Sequence, residues 1–176
     1  MRQLRLWLGL ALIVVVITSL WLRSETSFDP QTDTISADPG VMTLKLPEQA
    51  ELGNQFGVTV EIDTKNRAIN AVGLRMEFDP KLVKVTQMDT SQSFCTFYPQ
   101  NKYDNQTGQI IVECGTPNPG FKGVNQLAKI KFVANQIGIA KFKVSPQSQI
   151  LLNDGHGTDI LRQYPEAQVL IVGDRL

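Results

Sequence analysis

The chain has 176 residues, 42% hydrophobic, 19% charged and 7% aromatic, which excludes wholesale disorder and a multi-span membrane protein and suits one domain with an appendage. Seventeen basic residues balance seventeen acidic ones, but Arg2, Arg5 and Arg23 flank an N-terminal apolar block, leaving fourteen bases against seventeen acids elsewhere. That mildly acidic remainder argues against a binder driven by phosphate neutralisation, and two cysteines with one histidine exclude zinc clusters of the usual spacing.

Leu6 to Leu22 runs without a charge, with Trp7 and Trp21 near its ends. As a helix it makes an apolar rod of about 26 Å, enough to span a bilayer core. The basic residues before it keep the N-terminus in the cytoplasm and favour translocation of the downstream chain. Residues 1–23 are therefore expected to be a single-pass N-terminal membrane anchor. The competing reading is a cleaved signal peptide, although no small-x-small cleavage site comes after the apolar block. Either way the rest of the chain lies outside the cytoplasm. Residues 24–40, rich in Ser, Thr, Asp and Pro, read as a flexible linker.

From Val41 to the end, short apolar stretches recur with period two between turn residues, and none sustains helical spacing. The expectation for 41–176 is an all-β domain, an antiparallel β-sandwich of about nine strands. The strands are expected at Val41 to Leu46, Val58 to Ile62, Val72 to Phe78, Leu82 to Met88, Phe94 to Tyr98, Gln109 to Cys114, Leu127 to Ala134, Ile139 to Val144 and Ala167 to Val172. Breakers such as Pro47, Gly53, Asp79-Pro80, Gly108 and Gly138 fall between them.

Cys95 and Cys114 fall in neighbouring strand candidates joined by a polar loop around Tyr103 to Gly108. In an oxidising exterior a hairpin would bring them together as a disulfide; the alternative is two buried free thiols. Asn105-Gln106-Thr107 matches a glycosylation acceptor, a short pattern that also arises by chance.

The chain lacks G-x-S-x-G, H-E-x-x-H, G-x-x-x-x-G-K-[ST] and C-x-x-C, so no enzyme, metal centre or cofactor is expected. Asn153 to Asp159 gathers His156 with Asp154 and Asp159, but the spacing misses the calcium-loop pattern and reads as a Gly-rich turn. A sugar-binding reading needs flat exposed aromatics, for which Tyr98, Tyr103, Phe121 and Tyr164 are the candidates. Lys129, Lys131, Lys141 and Lys143 alternate with apolar residues on two strands, either as a basic face for an acidic polymer or as a solvated side of a sheet.

The ordered set of motifs resembles the cohesin domains, modules that hold dockerin-bearing enzymes in cellulosomes. It consists of G-x-x-F-x-V-x-V-x-I at Gly53 to Ile62, INAVGLRMEFDP at Ile69 to Pro80, KLVKVTQM after it, SFCTFYPQ from Ser93, GQIIVEC from Gly108, LAKIKFVA from Leu127, GIAKFKVSPQSQILLNDG from Gly138 and a closing AQVLIV. The resemblance implies a jelly-roll-like sandwich that binds a dockerin-type protein through one flat sheet face. On this chain the outward positions of that face would be Ala71, Gly73, Arg75 and Glu77 on the third strand, with Tyr98 and Glu113 on the fifth and sixth. Ala71 and Gly73 are smaller and less polar than the residues that enzyme-recruiting cohesins tend to offer there.

The expected function is thus a non-catalytic recognition module at the cell surface, binding a protein partner of dockerin type in a polysaccharide-related assembly. The alternatives are a carbohydrate-binding module contacting polysaccharide directly and a structural envelope component joined edge to edge. Neither cofactor nor nucleic acid enters any of these readings.

Overall fold

The computed structural model describes residues 38–173. The expected anchor at 1–23 and most of the linker lie outside them. Eleven strands form: β1 (Val41–Lys45), β2 (Gln49–Glu51), β3 (Gln55–Asp63), β4 (Ile69–Phe78), β5 (Val83–Asp89), β6 (Phe97–Asp104), β7 (Gln109–Gly115), β8 (Val124–Ala134), β9 (Gly138–Val144), β10 (Gln149–Leu152) and β11 (Glu166–Val172). One sheet has the order β1-β3-β8-β5 and the other β2-β11-β9-β4-β7-β6, with β10 continuing beside β4 where β9 stops.

The all-β expectation holds, with two corrections. There are eleven strands, because the three-residue β2 and the four-residue β10 were not anticipated. One pair, β2 with β11, is parallel while the other paired strands run antiparallel.

Period-two patterning makes the two layers. On β3, Phe56, Val58, Val60 and Ile62 turn inward, and on β4 Val72, Leu74, Met76 and Phe78 do the same. Four phenylalanines meet between the sheets: Phe56 stacks on Phe132 at 5.8 Å, and Phe132 takes Phe78 and Phe142 edge-on at 5.3 and 4.9 Å. Burying each such ring contributes about 1.5–3 kcal/mol, so this cluster anchors the larger sheet and fixes which side of β4 and β9 faces out. At the other end Gly40, from the expected linker, already pairs with Leu161 and donates to the Ile160 carbonyl at 2.9 Å.

Candidate binding face

The outer surface of β9-β4-β7-β6 is built by the side chains that the core alternation leaves over. Gly73 pairs with Glu113 and with Gln149, Ala71 with Gly115 and Leu151, and Glu77 with Gln109 and Lys143. Ala71, Gly73 and Gly115 give the middle of this face almost no relief. At Gly115 the missing side chain makes room for Phe97, whose ring covers it: a Cβ there would displace the ring. Phe97 is itself 56% exposed, the one large aromatic presented outward on this face.

Beside the flat strip is a fixed polar group. The Arg75 guanidinium is ion-paired with Glu113, and the Gln100 amide donates to the second Glu113 oxygen at 3.0 Å. Hydrogen bonding from Arg75 holds the Glu113 carboxyl below its usual range, against a smaller opposing effect of desolvation. Arg75 is positioned from behind. Between β9 and β10 the chain leaves the ladder, and the Ser148 hydroxyl takes its place, accepting from the Arg75 amide at 2.9 Å and donating to the Arg75 carbonyl at 3.1 Å. Ser148 is buried. A charged side chain on so firmly held a backbone loses little entropy on contact, which suits a binding surface.

Of the expected site residues, Ala71, Gly73, Arg75, Glu77 and Glu113 therefore share one face. Tyr98 does not. It follows the outward Phe97 and so points by strand alternation to the other side of β6, where its ring packs on the core and its hydroxyl donates to the Thr90 carbonyl at 3.4 Å. Phe97 and Gln100 take the outward places, and sequence reasoning singled out neither of them nor Ser148 in this role.

Cys95 and Cys114 are disulfide-bonded, with Cα atoms 5.8 Å apart. Cys95 precedes β6 instead of lying within a strand. The Asn105 side-chain amide is engaged by Val85: the oxygen accepts from the Val85 amide at 2.8 Å and the nitrogen donates to the Val85 carbonyl at 2.9 Å. The four lysines do not form one basic face. Lys129 and Lys131 lie on β8 in the four-stranded sheet, and Lys141 and Lys143 on β9 in the other.

The sugar-stacking candidates are scattered likewise. Tyr98, Phe121 and Tyr164 pack against the core, with Phe121 stacked on Phe94 at 4.3 Å, and Tyr103 sits opposite the inward Ile110. In the Asn153 to Asp159 loop both carboxylates serve the backbone. Asp154 accepts from the His156 and Gly157 amides, and Asp159 from the Ile150 and Leu161 amides. Among the described residues no group of three or more His, Cys, Asp or Glu side chains is placed to hold a metal ion.

Solved structures similar to this domain include cohesin modules. The domain has a cohesin-like fold. A cohesin module from a Clostridium perfringens family 33 glycoside hydrolase superposes with a TM-score of 0.65 at 11% identity, covering 78% of this chain and 99% of that one. A non-cellulosomal cohesin from the hyperthermophilic archaeon Archaeoglobus fulgidus gives 0.60 at 18% identity, covering 76% and 91%. The sixth cohesin of Acetivibrio cellulolyticus scaffoldin B, solved in complex with a Cel5 dockerin mutant, gives 0.58 at 16% identity, covering 74% and 99%. No family model matches the sequence, and no curated protein matches it. At these identities the cohesin likeness is one of architecture.

Proposed function

We propose that the domain is a non-catalytic recognition module that presents its β9-β4-β7-β6 face to a protein partner of dockerin type. A membrane segment at 6–22 would hold it outside the cell. The observation that carries the reading is the face itself: a low centre at Ala71 and Gly73, bordered by the exposed Phe97 ring, which lies over Gly115, and by the fixed Arg75, Glu113 and Gln100 group. A flat small-residue centre admits a close-packed helix or strand, and an aromatic with an arginine at its border supplies the residue types that dominate binding energy. A solved structure of the same fold holds a dockerin. Among the described residues the aromatics form no exposed strip, which disfavours direct sugar binding.

The test is affinity of the full chain for a panel of dockerins, measured by surface plasmon resonance, alongside soluble polysaccharides. Gly73→Arg places a long charged side chain at the centre of the face, and its Cβ meets only the Gln149 side chain, at 3.4 and 3.7 Å, so the backbone need not move to take it. Binding should fall at least about a hundredfold, as for loss of an interface centre, while Thr43→Arg on the outer side of the opposite sheet leaves it unchanged. Dockerin binding indifferent to Gly73→Arg, or retention of polysaccharide alone, overturns the reading.

A further inference from the structure

A second surface lies at the far corner of the larger sheet, away from the β4-β7-β6 centre. Ile139 and Leu170 are cross-strand partners on β9 and β11, and they stand 51% and 40% exposed. Ile137, 58% exposed just before β9, reaches Gly173, with its Cδ1 3.4 Å from where a Cβ would be. Val172 shares the outward side of β11 with Leu170, and Leu52 is exposed just past β2. Elsewhere on β9 and β11 the outward positions are Lys141, Lys143, Glu166 and Gln168. The switch to aliphatic side chains is therefore confined to this corner. The patch amounts to about 400 Å², the size of the largest apolar patch on an ordinary monomer, which is often functional.

Its flanks carry opposite charges. Lys141 lies one strand over from Leu170 and two residues along in one direction, and Glu51 lies one strand over and two residues along in the other. Among the described residues neither is in an ion pair. We propose that this corner is a self-association surface whose occupant is a second copy of the chain, in a two-fold contact centred on Leu170.

With the axis in the contact plane, Leu170 packs on its counterpart and Ile139 on the other copy's Ile137 and Val172. Lys141 then faces the other copy's Glu51, and the symmetry makes that pairing twice. The placement of the two charges thus selects a copy of the same surface over an unrelated partner. A purely apolar area of about 400 Å² is half of the roughly 800 Å² per partner of a standard interface, so the dimer is weak, with a Kd on the order of 10–100 µM. This inference uses none of the residues of the proposed docking face and stands or falls separately from it.

The test is sedimentation equilibrium of the detergent-solubilised full chain, over a concentration series reaching well above the expected Kd. Lys141→Glu and Glu51→Lys each turn two attractive pairs into repulsive ones and should weaken self-association about tenfold. In a dimer of one variant with the other, the two introduced charges meet across one contact while the native Lys141 and Glu51 meet across the second. Both pairs are again attractive, so association of the mixture should return to the wild-type level. Leu170→Glu should abolish it. All these positions are exposed, so unchanged thermal unfolding of each variant confirms that the fold is intact. Because Glu51 also accepts a hydrogen bond from Asn54 at 2.8 Å, Glu51→Gln, which keeps the acceptor, isolates the loss of charge. A monomer throughout the series overturns the proposal, as does association that survives Leu170→Glu or a mixture that fails to recover.

Discussion

Reducing the Cys95–Cys114 disulfide tests how far this domain depends on its crosslink. The bridge spans a sequence separation of 19, and chain-entropy arguments assign closure of such a loop about 3 kcal/mol through restriction of the unfolded chain. Reduction of the wild-type protein is the cleanest perturbation, because both sulfur atoms stay in place. Replacing the buried Cys114 with alanine would add a cavity cost of about 1 kcal/mol. For a domain of this size, about 3 kcal/mol corresponds to a fall in Tm of roughly 10 °C. Urea unfolding of the oxidised and reduced protein measures the difference directly. Locally, Thr96 donates to the Gly115 carbonyl at 2.9 Å, a bond that does not involve the sulfurs, so β6 should remain paired after reduction while hydrogen exchange at Thr96 and Phe97 quickens. A loss below about 1 kcal/mol would refute the loop-closure argument, since an unfolded chain that gained no freedom on reduction must already be restrained there.

Ser148→Ala removes the hydroxyl that accepts from the Arg75 amide, while the Arg75 carbonyl keeps the Ser145 amide at 2.8 Å, and should cost about 1–3 kcal/mol in urea unfolding. The loss should come with weaker dockerin binding if Arg75 is held for contact; an unchanged midpoint would show that water replaces the hydroxyl. In the Asn153 to Asp159 loop, the Thr158 hydroxyl, followed by the His156 amide, holds the Asp154 carboxyl down at about 2. Its folded value lies below the unfolded one, so the loop's stabilisation is complete above the ordinary carboxylate range and is lost as pH falls from about 4 towards 2. A carboxyl-carbon NMR titration should give a midpoint near 2, and a midpoint at the ordinary value of 3.8 would show that the loop does not grip the carboxylate.

Strands whose two sides meet different surroundings were legible. The alternation of Val58, Val60 and Ile62, and of Val72 to Phe78, names both the core and the outward set Ala71, Gly73, Arg75 and Glu77, because a half-buried strand must sort its residues by side. β2 and β10 were illegible for the opposite reason. With three and four residues they carry no pattern of their own and are strands only because β11 and β4 offer them partners. β6 reads FYPQNKYD, an edge strand with a proline and a mostly exposed inner side, so nothing in its composition marks its bounds. Its start was therefore expected at Phe94 instead of Phe97.

The misplaced Tyr98 follows from those unmarked bounds, and the unforeseen polar group follows from register. Which residues share a face along one strand follows from parity, but which residues meet across strands depends on register. A register shift between Phe97 and Gln100 gives β6 one extra residue against β7, and that local slip puts Gln100 instead of Pro99 opposite Glu113. Without the bulge Pro99 would stand there, and the amide that steadies Glu113 would be lost. The chemistry of the candidate site is thus set by an irregularity in its edge strand, while its flatness is set by the regular strands beside it. Substitutions in β6 should accordingly retune what the face binds, whereas those in β4 decide whether anything can approach it at all.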